Sequence, residues 1–255
     1  MARRTIFVGN WKAHFTIEEA EKYFEELPQF SGQWLHEVVL TPPFTLMQTA
    51  QKLLPSNVIL GAQDVSHHGI GPYCGEIPCG LLKPFGVKYA IVGHVERRVM
   101  GEQNDRINAK VRNCLGHGIT PILCVGDTLH EYQANQTEHV IKKQLKECLV
   151  GVTDYSKIIV AYQPIWSIGT GFYAAPELTG IICNLIRKTV QKIGGSPMCG
   201  NFPILYAGGI TTHNSREYLE ASDVDGLMVG PTSMKPQIFH EIIMTKFELK
   251  KSNID

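Results

Sequence analysis

Three side chains in this 255-residue chain stand where they could act together on a small polar ligand. Lys12, His94 and Gln163 each lie just past a short aliphatic run: Ile6-Phe-Val8, Ala90-Ile-Val92 and Ile159-Val-Ala161. An ammonium opposes an anion, and an imidazole polarises a carbonyl or moves a proton near neutral pH. Past the ends of other runs come Asn10, Gln63, Asp64, Glu96, Gly126, Gly208, Gly209, Gly230 and Pro231. Glycines there let a ligand anion reach backbone N–H groups. A lone lysine after a strand is ordinarily a solvated loop residue, and a lone histidine ordinarily packs. Both types at run ends, beside such glycines, point to one rim that carries a site.

The elements that must position these residues repeat along the chain. Strands are predicted at Thr5 to Asn10, Glu37 to Leu40, Val58 to Gln63, Tyr89 to Gly93, Thr120 to Val125, Lys157 to Tyr162, Pro203 to Ala207 and Asp225 to Val229. Helical spacing is read at Ile17 to Leu27, Phe44 to Leu54, Asn104 to Leu115, Glu138 to Val150, Ala175 to Ile193, Ser215 to Ala221 and Gln237 to Glu248. The linker from Asp64 to Lys83 is long and glycine-rich, with at most one helical turn near its end. Strands alternating with helices imply a parallel sheet, because parallel neighbours need a crossover. Eight units of about 32 residues suit an α/β fold of the (β/α)8 barrel type, as a single domain over residues 1–255. The rival is an open doubly wound sheet, but no Gly-x-Gly-x-x-Gly follows the first strand.

Composition narrows the function. Lys and Arg number 24 and so do Asp and Glu, so no net field favours a nucleic acid or an anionic membrane. No apolar run approaches the roughly 18 residues of a membrane helix, and the start lacks the apolar stretch of a signal peptide. The expectation is a cytoplasmic protein whose partner is a small molecule or another protein. Seven scattered cysteines read as reduced thiols. Cys74 and Cys79 form a C-x4-C without a second pair, a weak metal signal, and His67-His68 beside them reads as a polar loop. No metal and no cofactor is called for.

Longer words of sequence match a family. Gly9-Asn-Trp-Lys12, Gly93-His-Val-Glu-Arg-Arg98, Ala161-Tyr-Gln-Pro-Ile-Trp-Ser-Ile-Gly-Thr-Gly171 and Val224-Asp-Gly-Leu-Met-Val-Gly230 closely resemble triosephosphate isomerase, in order, from about residue 5 to residue 245. The resemblance implies a TIM barrel, a homodimer and a role in glycolysis and gluconeogenesis. The activity implied is interconversion of dihydroxyacetone phosphate and glyceraldehyde 3-phosphate through an enediolate. By similarity, Asn10 and Lys12 face the substrate oxygens, with Lys12 opposing the phosphate. His94 is a neutral imidazole polarising the carbonyl, its pKa held down by the positive end of a helix. Glu96 orients Lys12. Pro164 to Ala174 resembles a lid, in which Gly169 offers an N–H, while Gly209 and Gly230 offer others to the phosphate.

The chain also departs from that pattern. Gln163 stands where the family places its glutamate base, and an amide cannot take the proton; a positioned carboxylate contributes about 10² to 10⁴ in rate. Read by itself, Gln163 is simply a hydrogen-bonded polar residue at a strand end. Val95 replaces the serine that holds the family's carboxylate when the lid is open. Tyr206-Ala-Gly-Gly209 replaces Tyr-Gly-Gly-Ser, removing a hydroxyl. Gly230-Pro231 replaces Gly-Gly, removing an N–H, although Pro231 also suits the first position of a helix. Phe172-Tyr173 is bulkier than the family's lid hinge. Cys74 replaces a threonine at the tip of the loop that reaches the partner subunit, so a homodimer through that loop remains the expectation.

Three readings follow: an isomerase of strongly reduced activity, a non-catalytic family member acting as a binding or interaction module (a pseudoenzyme), or an enzyme for another small hydroxycarbonyl substrate. For a rescued isomerase the nearest candidate base is a water, since apart from Asp64 no other carboxylate stands at a strand end.

Overall fold

The computed structural model describes residues 3–28, 36–168 and 170–251. Eight strands, β1 (Thr5–Asn10), β2 (His36–Thr41), β3 (Val58–Ala62), β4 (Tyr89–Val92), β5 (Thr120–Val125), β6 (Ile159–Tyr162), β7 (Ile204–Ala207) and β8 (Gly226–Val229), pair in parallel and in order. β8 pairs back onto β1, with Phe7 opposite Leu227, and closes the barrel. Around it run α1 (Ile17–Glu26), α2 (Met47–Leu53), α3 (Cys79–Leu82), α4 (Val95–Val99), α5 (Asn104–Gly116), α6 (Leu129–Gln133), α7 (Thr137–Cys148), α8 (Pro176–Gly194), α9 (Ser215–Glu220) and α10 (Pro236–Lys251). The single (β/α)8 domain expected from the sequence is the observed architecture.

The strands are aliphatic throughout because both of their faces are buried. Ile6, Val8, Val39, Ile91, Ile122, Cys124, Ile159, Leu205 and Met228 form one buried cluster. Their immediate neighbours Phe7, Val38, Leu40, Val92, Leu123, Val160, Ile204 and Leu227 belong to a second, larger cluster with the helices. With a side-chain period of two, the first set fills the barrel and the second seats the helices. Where a strand crosses another backbone closely, only glycine fits: a Cβ at Gly226 would overlap the Ile6 carbonyl.

Local chemistry accounts for the differences from the predicted elements. β6 starts at Ile159 rather than Lys157, because Asp154 caps a 3-10 turn over Tyr155–Lys157 by accepting from the Ser156 N–H. The helix expected from Phe44 opens as a 3-10 turn, Phe44–Leu46, before α2. α6 was not foreseen, and α4 only as the helix start that the resemblance implied after His94; at five residues each they are too short for a 3.6-residue period to show. α6 does carry a sequence signal, the capping box formed by Thr128 and Glu131. The 64–83 linker contains one helical turn, α3, followed by a 3-10 turn. Among the described residues, no helix is long and apolar enough to cross a membrane.

Candidate active site

The C-terminal ends of the strands open into a cavity of about 740 Å³. Asn10, Lys12, His94, Glu96, Gln163, Gly209 and Gly230 all line it. These residues are spread over more than 200 positions of sequence, and barrel closure brings them to one rim. Gly169 lies outside the described residues. Asp64 is not part of this wall. Its carboxylate receives Lys110 Nζ at 2.7 and 2.8 Å and Arg97 Nε at 3.2 Å. It is therefore no substitute base.

Lys12 is held in an uncommon backbone conformation. Its φ of 54° is left-handed, a region that costs a non-glycine residue about 1–2 kcal/mol. Two contacts hold it there. Asn10 Oδ1 accepts the Lys12 N–H at 3.1 Å, and Gln63 Nε2 donates to the Lys12 carbonyl at 2.6 Å and to the Thr41 carbonyl at 2.9 Å. The ammonium then reaches Glu96 Oε1 at 2.6 Å. Glu96 thus lies against the lysine, as the resemblance implied. The Lys12 stem passes Gly230 closely enough that a Cβ there would lie 3.8 Å from Cε.

His94 caps α4. The turn that delivers it from β4 needs Gly93 at φ 68°, and Arg98 ties the turn down by donating from Nε to the Gly93 carbonyl at 2.9 Å and from Nη2 to the Cys124 carbonyl at 3.0 Å. His94 Nδ1 lies 3.3 Å from the Glu96 N–H and 3.6 Å from Glu96 Oε2. Burial, aided by the Lys12 charge and opposed by Glu96, pushes the His94 pKa down to about 4. Burial is the largest of these causes, and the ring stands at the N-cap of the five-residue α4. The imidazole is neutral at pH 7.

Gln163 is 4% exposed, and both ends of its amide are engaged. Its Oε1 accepts the Val95 N–H at 3.0 Å, and its Nε2 lies 2.8 Å from His94 Nε2. A backbone N–H thus holds the side chain opposite Val95, where no hydroxyl is available. The strand end itself requires Gly126, since a Cβ there would overlap the Gln163 carbonyl.

The segment after Gln163 is tethered at both ends. Ile165 N–H donates to the Asp127 carbonyl at 2.9 Å, and Trp166 stacks on Tyr132 with ring centroids 4.7 Å apart. At the far end the Ala174 carbonyl accepts from Tyr218 OH at 2.7 Å. Between these tethers Phe172 is 72% and Tyr173 54% exposed, and both line the cavity with Ile168, Ile210 and Met228. Pro231 opens a 3-10 turn, Pro231–Met234, so this proline does serve as a helix-start residue, without an N–H for a ligand. Sequence reasoning placed Gln63 at a strand end without its role and missed Arg98 and the apolar wall. Arg98 lay inside a quoted motif, whereas its carbonyl partners are set by the fold alone.

The comparisons agree with this geometry. The family model for triosephosphate isomerase matches residues 5–246. A triosephosphate isomerase of Thermoanaerobacter pseudethanolicus is 38% identical over 245 residues, covering 94% of this chain and 99% of the relative. One from Dictyoglomus thermophilum is 38% identical over 246 residues, with the same coverage. One from Aquifex aeolicus is 37% identical over 244 residues, covering 94% and 98%. With a closed eight-stranded barrel and a match running through all eight strands, this chain belongs to the triosephosphate isomerase family.

Proposed function

We propose that this protein binds a three-carbon phosphate at the barrel mouth and interconverts dihydroxyacetone phosphate and glyceraldehyde 3-phosphate at a strongly reduced rate. The observation that carries this is the Gln163 amide, buried in the cavity wall at the position the resemblance gives to the base. Isomerisation requires a proton to leave one carbon and arrive on its neighbour. The Lys12 ammonium supplies charge for a phosphate and for developing negative charge, and neutral His94 and Asn10 supply polar contacts to the oxygens. A carboxylate at 163 would take and return the proton; an amide oxygen is far too weak a base, so the proton must pass through water. Gly209 and Gly230 keep backbone N–H groups for the phosphate, and Pro231 removes one.

The test is turnover of dihydroxyacetone phosphate by the native protein and by its Gln163→Glu variant, at high enzyme concentration with host isomerase controlled. A gain of about 10² to 10⁴ or more in kcat is expected in the variant. If neither protein turns over, the reading of an intact cradle lacking only its base is wrong. The combination of Gln163, Val95 and Pro231 around one cavity favours a second reading, a non-catalytic binding module. Absence of 2-phosphoglycolate binding by calorimetry would support that reading over the first.

A homodimer through the loop around Cys74 belongs to the same proposal. Ile70 and Tyr73 are exposed on that loop, with Leu81 just beyond it, which supports an apolar contact there. Sedimentation at a single-chain mass would overturn it. A cytoplasmic location is also proposed, supported by seven cysteines without a disulfide.

A further inference from the structure

The hydrogen bonds around Gln163 contain a conflict that a carboxylate would not create. Four groups stand in a row: the Val95 N–H, the Gln163 amide, the His94 ring and the Glu96 N–H. Their gaps are 3.0 Å from Val95 N to Gln163 Oε1, 2.8 Å from Gln163 Nε2 to His94 Nε2, and 3.3 Å from His94 Nδ1 to Glu96 N. Both ends of the row are peptide N–H groups, which only donate. A carboxylate in the second place presents acceptors on both sides, so the row closes with the ring proton on Nε2 and the lone pair on Nδ1. An amide presents one acceptor and one donor, and so does a neutral imidazole. The row then holds one donor too many, and at one gap two N–H groups must face each other.

Three placements of that mismatch exist. Turning the amide over sets its NH2 against the Val95 N–H at 3.0 Å, between two buried residues. A ring proton on Nε2 meets the amide NH2 at 2.8 Å, also buried. A ring proton on Nδ1 moves the mismatch to the longest gap, beside the half-exposed Glu96 side chain. There the Glu96 N–H, in the first turn of α4, loses the cap it makes on Nδ1 and has only water to turn to; that cap is the longest and least enclosed of the three hydrogen bonds. Glu96 Oε2, 3.6 Å from Nδ1, is too far for a hydrogen bond, but its negative charge favours a proton on that side of the ring. The third placement costs least.

We propose that Gln163 holds His94 as the Nδ1–H tautomer, so that the site prefers a ligand donating a hydroxyl to His94 Nε2 over one presenting a carbonyl to it. Gln163 is then a positioning residue, acting through the ring. A carbonyl oxygen finds no donor on Nε2 until the Gln163–His94 contact opens and the ring proton moves from Nδ1 to Nε2. An alcohol needs only the amide to withdraw, because the lone pair already faces it. The ligand class is a phosphorylated polyol, with glycerol 3-phosphate the simplest probe. This preference rests on reading the cavity as a three-carbon phosphate site; the tautomer does not.

The tautomer is read without ligand by long-range proton–nitrogen correlation spectra of protein carrying nitrogen-15 histidine at pH 7. A His94→Asn variant identifies the ring signals. In the native protein Nδ1 should carry the proton and Nε2 should resonate as unprotonated; in Gln163→Glu the two should exchange. A proton on Nε2 of the native protein, or the same tautomer in both proteins, overturns the proposal. Calorimetry then compares dihydroxyacetone phosphate with glycerol 3-phosphate on both proteins. The ratio of their Kd values should favour the alcohol about tenfold more in the native protein than in the variant, the size of one hydrogen bond. An unchanged ratio overturns the ligand preference. Binding of neither ligand by either protein overturns the phosphate reading of the cavity, and the spectra still decide the tautomer.

Discussion

Replacing Gln63 by methionine removes one donor and keeps nearly the same side-chain volume, so it isolates what holds Lys12 in place. Gln63 Nε2 donates to the Lys12 carbonyl at 2.6 Å and the Thr41 carbonyl at 2.9 Å. The Thr41 carbonyl keeps a second donor, the Trp11 N–H at 3.3 Å; no other donor to the Lys12 carbonyl appears among the described residues. Two intramolecular hydrogen bonds at about 0.5–1.5 kcal/mol each predict a loss of about 1–3 kcal/mol in stability. For a chain of this size that lowers Tm by roughly 2–12 °C. The sharper expectation concerns binding. The left-handed backbone at Lys12 costs about 1–2 kcal/mol, and without Gln63 only the Asn10 contact opposes its relaxation. A ligand that needs the ammonium in place must then restore that conformation, which weakens binding about 5- to 30-fold. Calorimetry with 2-phosphoglycolate and urea unfolding, on the same preparations, measure both effects. Stability lost as stated with affinity unchanged within about twofold would refute the argument that Gln63 positions the lysine.

Two further predictions concern buried charge. Lys110 is 2% exposed and pairs with Asp64 at 2.7 Å and with Glu102, so Lys110→Met leaves buried Glu102 without its cation and Asp64 with Arg97 alone. Urea unfolding at pH 7 should show a loss of about 3–5 kcal/mol. Because burial raises the Asp64 pKa, the loss should shrink in mildly acid buffer; a loss independent of pH would count against the account. His94 contributes an acid limb to stability. Its pKa is lowered from 6.5 to about 4 in the fold, so below pH 6.5 the unfolded chain binds a proton that the native ring refuses. Stability is full above about pH 6.5, falls as pH drops toward 4, and loses roughly 3 kcal/mol at full extent. His94→Asn should flatten that limb, and unfolding curves of the two proteins that stay parallel from pH 7 to 4 would exclude it.

The eight strands were legible because a barrel strand is buried on both faces and reads as a continuous aliphatic run. The long helices α5, α7 and α8 were legible because one apolar stripe repeats every 3.6 residues over three turns or more. α4 and α6 make little more than one turn, so no stripe develops, although the capping box at Thr128 marked α6. The site was legible in composition: parallel strands closing into a barrel put all their C-terminal ends on one rim, so residues past each run must meet. The cysteines show the limit of that reasoning. Cys74 and Cys79 were considered together because they are five residues apart, yet the fold sets Cys79 Sγ 3.9 Å from Cys114, 35 residues away.

The sequence by itself determined the element types, their order, the family and the absence of a carboxylate at 163, because each is written in local periodicity or in residue identity. Only the tertiary structure decided which groups share a proton or a charge. Lys12 finds Glu96 across 84 residues, and Gln163 finds His94 across 69. Those pairings exist only once the barrel closes, since closure sets the distances and strips away water. The same enclosure lowers the His94 pKa and turns a one-atom difference at residue 163 into a constraint on where the ring proton resides.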